Sequence, residues 1–229
     1  MITRYKLLIL GICLFIAFAL LSKYEDRAVL RNLDFAVTVK LQERIDRSAH
    51  LRLASLVGNL MEGATFAATP VFTSVIIFML IGIAVYDWKK KKFQVKTLII
   101  PVGFILILLA ELYGKSIVHH PSPPFSMIKH PTSMFPANYV NEQFSYPSGH
   151  AARAIYVAYM GLLLYLRSKI RSKQLASMAH NVVPMMFAAL YILLVAISRI
   201  YLGEHWFSDV VGGLLLGSAV GSFSAWVVW

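Results

Sequence analysis

The sequence has few charged residues and almost no cysteine. Only 14% of its 229 residues are charged, and 58% are hydrophobic, whereas soluble domains contain about 45–50% apolar residues. Cys13 is the only cysteine, which excludes an intrachain disulfide and leaves the redox compartment open. The composition therefore predicts a membrane protein, in which Cys13 serves ordinary packing.

Acidic residues are also scarce, with 11 of them against 22 lysines and arginines. A net charge of +11 can indicate nucleic-acid binding. The basic residues lie, however, in short clusters between apolar runs, which is typical of the cytoplasmic ends of membrane helices. We therefore expect the lipid bilayer as a partner and no nucleic acid.

The apolar runs predict an all-α, polytopic membrane protein with six transmembrane helices. The expected spans are 6–22, 65–86, 97–113, 149–166, 182–198 and 208–229. The outer loops are then 23–64, 114–148 and 199–207. Charged and apolar residues alternate in the first loop, which favours amphipathic helices on the membrane surface. A lid, a substrate-entry element and a connector packed on the bundle are the alternatives for this segment.

The distribution of lysine and arginine predicts the orientation of the spans. One side carries bases with Asp87 as its only acid: Arg4, Lys6, the Lys89–Lys92 run, Lys96, Arg167, Lys169, Arg171 and Lys173. This side is expected to be cytoplasmic, together with both termini. The predicted location is a bacterial inner (plasma) membrane, and the outer loops then share the periplasmic or extracellular side with the start of the fourth span.

The last polar stretch, from Ser198 to Asp209, lies between two apolar runs. Ionisable groups are costly there, which makes them functional candidates. Asp209 follows His205 by four residues, so on a helix the carboxylate can hold one ring nitrogen and leave the other free. Arg199 offers a planar cation suited to phosphate oxygens. The alternative is a short connection in which Ser208 caps a helix and the histidine has no role.

Pro147-Ser148-Gly149-His150 is expected to begin a helix on the same outer side. Ser148 can cap this helix, and its first backbone N–H groups can bind an anion. Gly149 allows close approach of a ligand, and His150 is suited to protonate a leaving oxygen. Lys115 adds a positive charge. We find no set of residues with metal-ligand spacing and expect neither zinc nor another cofactor.

Two of these motifs resemble those of the type-2 phosphatidic acid phosphatase superfamily, which includes membrane lipid phosphatases and vanadium haloperoxidases. They are Pro147-Ser148-Gly149-His150 and Ser198-Arg199 followed by His205 and Asp209. The resemblance covers most of the chain, from about the second span to the end. It implies a metal-independent, two-step phosphoryl transfer in which His205 is the nucleophile, Asp209 orients it and His150 is the acid and base. Charge on the phosphoryl oxygens would be held by Lys115, Ser148, Gly149 and Arg199.

The first family motif is incomplete. After Lys115, at the interval where the family has Arg-Pro, the sequence has Ser122-Pro123. Three explanations stay open: Arg153 replaces the missing charge, a loop residue (His119, His120 or Lys129) supplies it, or phosphate binding and activity are weakened or changed. We favour retained activity, with Ser122 and Arg153 as additional candidates for the phosphate site.

The resemblance as a whole implies one membrane phosphatase domain over residues 1–229. Its expected reaction is hydrolysis of a lipid phosphate or diphosphate at the outer face. Candidate substrates are undecaprenyl diphosphate, phosphatidylglycerol phosphate, phosphatidic acid and lipid A phosphates. A lipid phosphotransferase and a non-catalytic lipid-phosphate binder or transporter are the alternatives, whereas the spans exclude a soluble haloperoxidase.

Overall fold

The computed structural model describes residues 2–48, 51–87, 92–129, 143–171 and 178–228. Within these ranges the chain forms eight α-helices: α1 (Ile2–Tyr24), α2 (Ala28–Ser48), α3 (Leu51–Phe66), α4 (Pro70–Ala84), α5 (Ile99–Ile117), α6 (Gly149–Arg171), α7 (Met178–Tyr201) and α8 (Phe207–Val228). Short 3₁₀ turns cover Val95–Leu98 and Phe125–Met127, and β1 (Tyr86–Asp87) pairs antiparallel with β2 (Lys92–Phe93). Predicted features at Lys89–Lys91, His130 and Lys173 lie outside the described residues.

Four of the described helices are long and apolar enough to cross a membrane. They are Arg4–Tyr24, Val95–Ile117, Val182–Tyr201 and Phe207–Val228. Helices α3 and α4 add a fifth candidate if this pair, bent by 56°, crosses as one broken span. The prediction of a helical, multi-pass membrane protein is confirmed at this level.

The predicted second span, 65–86, is not one continuous helix. Helix α3 ends at Phe66 and α4 begins at Pro70, where Thr69 Oγ1 accepts a bond of 3.4 Å from the N–H of Phe72. Proline lacks a backbone N–H and fixes φ, so Pro70 suits the first turn of a new helix better than the interior of a longer one.

The predicted first outer loop, 23–64, contains α2 and most of α3. Helix α2 packs against α7 and α8, and α3 packs against α7. These contacts show two helices packed on the bundle. That they also lie on the membrane surface stays a prediction.

Helix α6 lies at the centre of the helix packing and contacts α4, α5, α7 and α8. It covers the predicted span 149–166 and continues to Arg171, yet it is not among the candidate spans above. His150 and Arg153 lower its apolar character. Neighbouring helices cover this helix and leave Ala152, Tyr156 and Met160 almost without exposed surface, so it need not present an apolar face to lipid.

Two glycines of α8 bring it close to α6. A Cβ atom on Gly213 would collide with the carbonyl oxygen of Ser148, and one on Gly217 would collide with that of Ala152. Small residues allow such close contact between membrane helices. The contact places the two motifs side by side, and the N–H of Ser148 donates to the carbonyl oxygen of Asp209 over 3.0 Å.

Helix α5 continues beyond the predicted third span, 97–113, to Ile117. Lys115 therefore lies in the last helical turn rather than in the predicted loop 114–148. A lysine there suits the negative end of the helix dipole. The described parts of the loop include the Phe125–Met127 turn and a bridge between Pro121 and Phe144.

Candidate active site

His205 and Asp209 lie close together where α7 gives way to α8. Gly203, with φ of 72°, reverses the chain after α7, and the N–H groups of Glu204 and His205 both bond to the carbonyl oxygen of Arg199 over 3.2 Å. A positive φ of this kind favours glycine. Asp209 then lies in the first turn of α8, and its Oδ2 is 3.4 Å from His205 Nδ1. The predicted pair is thus formed, at the long end of hydrogen-bond distances.

The carboxylate of Asp209 is completely buried and has further partners. Its Oδ2 accepts from the backbone N–H of Trp206 over 2.8 Å, which satisfies a donor at the start of α8. Its Oδ1 is bonded to Nδ1 of His120 at 2.8 Å. Asp209 therefore holds two histidine rings and one end of a helix at once.

Burial and the nearby charge of Arg199 lower the pKa of His205 below its ordinary value, although the bond to Asp209 acts in the opposite direction. The ring is therefore neutral at neutral pH. Because Nδ1 faces the carboxylate, the proton belongs there and the lone pair lies on Nε2. A buried, neutral and oriented imidazole can act as a nucleophile.

The Pro147–His150 motif forms the start of α6, as predicted. Ser148 is completely buried, and its hydroxyl has no hydrogen-bonding partner within the described ranges. The expected capping bond from this hydroxyl is therefore absent there. His150 is half-buried and lies within electrostatic range of Arg199, Lys115 and His205. A buried hydroxyl without a partner in the described part of the chain, two residues before His150, can donate to an anionic ligand.

Three cationic side chains of the site are paired with carboxylates. Lys115 Nζ is 3.4 Å from Glu111 Oε1, and Arg153 forms a hydrogen-bonded ion pair with the other oxygen of Glu111. Arg199 is paired with Glu204. The Nε atom of Arg199 has no partner among the residues described, which leaves one donor of this buried guanidinium for a ligand.

Glu111 contacts both Lys115 and Arg153 and the start of α6. Its carboxyl group lies so close to Gly149 that a Cβ atom there would collide with it. The carboxylate thus occupies space beside the helix start where the motif predicts phosphate. Because glycine has no Cβ atom, an anion such as this carboxylate can approach the helix start at residue 149 so closely.

The contacts of four side chains bear on the explanations for the missing arginine. His120 faces carboxylates through both ring nitrogens, Lys129 is paired with Asp46, and the exposed ring of His119 packs edge-on against Phe144. These contacts do not support the hypothesis that one of these three supplies charge to phosphate. Arg153, which shares Glu111 with Lys115, is the other cation considered as a replacement for the family arginine.

Ser122 is anchored through its backbone, whose N–H donates to the carbonyl oxygen of Gln143 over 3.3 Å. The indole of Trp206 donates to the carbonyl oxygen of the preceding Pro121 over 2.7 Å. These bonds hold the loop against the motif that contains His205. A role of the Ser122 hydroxyl in phosphate binding stays a prediction.

Two buried acids before the motifs were missed by the sequence reasoning. Glu25 Oε1 is 2.8 Å from His120 Nε2, and Asp34 accepts from both the N–H and the hydroxyl of Ser208 over 2.7 Å. Ser208 thus receives a cap from α2 rather than supplying one, which corrects the capping interpretation. Glu25 and Asp34 belong to a segment rich in exposed charges, and nothing in their local pattern distinguishes them.

The charges of this group follow from its burial. Burial alone would lower the pKa of His120, but the carboxylates of Asp209 and Glu25 outweigh it and raise the pKa to about 10. Burial raises the pKa of Asp34, against the two bonds from Ser208. Within the described ranges, no group of three or more histidine, cysteine or acidic side chains is arranged to hold a metal ion.

The motif-bearing part of the chain matches a known family. The model of the PAP2 superfamily matches residues 96–229, more than half of the sequence. The chain therefore belongs to the PAP2 superfamily, as its two complete motifs predicted. By class it is a membrane-embedded lipid phosphatase.

A curated relative and a solved structure are also similar to this chain. Phosphatidylglycerophosphatase B of Bacillus subtilis (strain 168) is 27% identical over 176 residues, covering 76% of this chain and 77% of that protein. The crystal structure of a transmembrane PAP2-type phosphatidylglycerolphosphate phosphatase from Bacillus subtilis is similar with a TM-score of 0.70 over 93% of each chain, at 22% identity. The structural likeness shows that the two share a fold.

Proposed function

We propose that this protein hydrolyses the phosphate monoester of a glycerophospholipid through a covalent phosphohistidine on His205. The observation that carries the proposal is a set of buried donors without partners in the described structure. The Ser148 hydroxyl and Arg199 Nε belong to the same two motifs as His150 and His205. A phosphoryl group supplies the acceptors that these donors require.

In the first step, His205 Nε2 attacks phosphorus and the bond to the lipid oxygen breaks. His150 gives its proton to that oxygen, which leaves as the lipid alcohol. Asp209 accepts the hydrogen bond from Nδ1 and stabilises the positive charge that develops on the ring. Arg199, Lys115 and Ser148 donate to the phosphoryl oxygens while their charge spreads.

In the second step, His150 takes a proton from water and the resulting hydroxide attacks phosphorus. The bond to His205 Nε2 breaks, which returns the neutral ring and releases inorganic phosphate. Arg153 replaces the missing family arginine in this proposal, and it does so by exchanging its bond to Glu111 for one to phosphate. Ser122 adds an uncharged donor.

The name of the relative from Bacillus subtilis favours phosphatidylglycerophosphate as the first substrate to test. We further propose that the whole chain forms one phosphatase unit with six crossings, made by α1, the bent α3–α4 pair, α5, α6, α7 and α8. Both termini are then cytoplasmic and the site opens on the periplasmic or extracellular side of the plasma membrane. The lysine and arginine distribution supports this orientation.

The test measures phosphate release by the full chain in detergent, with chelator present. Phosphatidylglycerophosphate, phosphatidic acid and undecaprenyl diphosphate are the substrates, and the variant is His205→Ala. We expect release to fall by about 10⁴-fold or more, because loss of a covalent nucleophile leaves only binding effects. Cys13→Ala, a change at an exposed position on α1, is the control and should match wild type.

Labelled substrate should leave phosphorus on wild-type protein after an acid-free quench and none on His205→Ala. Equal release by the two proteins would rule out the phosphohistidine. Transfer of label to an added lipid alcohol without free phosphate would identify a transferase instead.

A further inference from the structure

We infer that His120 is a positioning residue for Asp209, held as the middle member of a buried chain that runs from Glu25 through His120 to Asp209. The inference rests on the proposed function, since it explains how the partner of the nucleophile is kept in place. His120 acts through Asp209 and does not contact the reacting atoms.

The chain joins three distant parts of the sequence. Glu25 directly follows α1, His120 lies in the connection after α5, and Asp209 lies in the first turn of α8. His120 Nε2 is 2.8 Å from Glu25 Oε1, and His120 Nδ1 is 2.8 Å from Asp209 Oδ1. The three residues expose 4% of their surface or less, so water does not replace these partners.

Charged groups face His120 from three elements. Besides Glu25 and Asp209, the Oδ2 atom of Asp34 on α2 lies 3.9 Å from Nε2. The ring of Trp206 completes this environment at 6.4 Å between centroids. A carboxylate lies at each ring nitrogen, with Asp209 in a hydrogen bond and Glu25 in a close ion-pair contact. This arrangement favours a proton on both nitrogens, which makes His120 an imidazolium. Glu25 then balances the charge of the ring, and Asp209 keeps its own negative charge for His205.

The bond from His120 fixes which oxygen of Asp209 faces the nucleophile. His120 holds Oδ1, so Oδ2 is directed to Trp206 N–H and to Nδ1 of His205. Without this bond the carboxylate can turn about its Cβ–Cγ axis, and the proton of His205 is no longer confined to Nδ1. The nucleophile then spends less time with its lone pair on Nε2, which lowers kcat and leaves substrate binding unchanged.

The kinetic test is a double-mutant cycle on the full chain in detergent. The variants are His120→Gln, Asp209→Asn and their combination, with the exposed neighbour His119→Gln as the matched control. We expect His120→Gln to lower kcat by about 10- to 100-fold, the range for groups that orient reactive histidines in metal sites. KM should stay within about 2-fold, and His119→Gln should match wild type.

The cycle separates positioning from a scaffolding role. If His120 acts through Asp209, adding His120→Gln to Asp209→Asn lowers kcat by less than about 2-fold further, because contacting residues are not additive. Losses that multiply, or a His120→Gln variant equal to His119→Gln, would overturn the inference while the proposed function stands. Absence of phosphate release by wild type would overturn both.

A second measurement reads the ring directly and needs no activity. Protein with ¹⁵N-labelled histidine is observed by NMR in micelles, and His120 is assigned as the signal lost in His120→Gln. We expect an imidazolium from pH 7 to pH 9, and a lower titration midpoint in Glu25→Gln. A neutral His120 ring at pH 7.5 in wild type would overturn the inference.

Discussion

The two ends of the chain contribute to the site in different ways. The reactive and phosphate-facing candidates all lie in residues 96–229, the part that matches the family: Lys115, Ser148, His150, Arg199, His205 and Asp209. The groups that approach from residues 24–66 are supports. Glu25 faces His120, Asp34 holds the start of α8, Gln42 spans two backbone carbonyls, and Thr65 bonds to Ser198.

This difference separates chemistry from support. The candidate reactive groups occur in short motifs because each pair lies on one turn or one helix start. The supports come from other helices and reach the motifs through tertiary contacts. Changes to the motif residues within 96–229 should therefore remove the reaction. Changes to the supports from residues 24–66 should weaken the geometry or the stability that the reaction requires.

After loss of the nucleophile itself, the largest effect is expected for Asp209→Asn. The amide cannot stabilise the charge that develops on His205 and can impose the wrong tautomer, as in other histidine–carboxylate pairs. The rate should fall by about 10³- to 10⁴-fold with little change in KM. Asp26→Asn is the control, because this exposed acid pairs with Arg31 on the surface. An Asp209→Asn rate within about tenfold of the wild-type rate would contradict the proposed role of Asp209 in orienting His205.

A smaller effect is expected for Asp34→Asn. One of the two bonds to Ser208 is lost or weakened, and loss of a helix cap costs about 1–2 kcal/mol. Because Asp209 is the next residue on α8, we expect about a 10-fold lower rate and a lower melting temperature. Asp26→Asn, at an exposed acid paired with Arg31, should change neither. Unchanged melting of Asp34→Asn would show that α8 begins without this cap.

The pH dependence of stability should report on His120. Its pKa is raised from 6.5 to about 10, so the folded state binds more protons than the unfolded state between these values. The stabilisation is complete below about pH 6.5 and is lost as pH rises through 10. The melting temperature should therefore fall between pH 7 and pH 10 in wild type and fall less in His120→Gln. If the melting temperatures of wild type and His120→Gln fall in parallel with pH, His120 does not carry the expected positive charge.

The smallest effect on the rate is expected for Gln42→Ala. Its amide donates to the carbonyl oxygens of Met127 and Tyr201 over 2.8 and 2.9 Å, which ties the 3₁₀ turn to the end of α7. Loss of these bonds should destabilise the protein by about 1–3 kcal/mol and change the rate by less than about 3-fold. Glu43→Ala, which removes an exposed pair with Arg47, is the control. A large loss of rate in Gln42→Ala would contradict a purely stabilising role for this side chain.

Much of the helical layout could be predicted because apolar runs and helix starts are local signals. The sequence indicated α1, α5, α7 and α8 within a few residues, and the pairing of His205 with Asp209 followed from their spacing. The break before Pro70 was missed because apolar residues continue on both sides of it. Proline limits backbone geometry there without interrupting the hydrophobic pattern.

The supports could not be predicted for a different reason. Asp34 and Ser208 are separated by 174 residues, and His120 and Asp209 by 89. An acid in a charged helix looks the same in the sequence whether it is solvated or buried against another helix. Only the packing of α2 against α8 distinguishes Asp34 from the exposed Asp26.

The position of Glu111 has a consequence for how the protein responds to salt. Its carboxylate is paired with both Lys115 and Arg153, so it offsets one of their two positive charges before a substrate enters. A phosphate that enters exchanges one anion for another and releases few ions from solution. Binding of substrate should therefore depend less steeply on ionic strength than it would if Lys115 and Arg153 were unpaired, and chloride or sulfate should compete less well than at such an unpaired cluster.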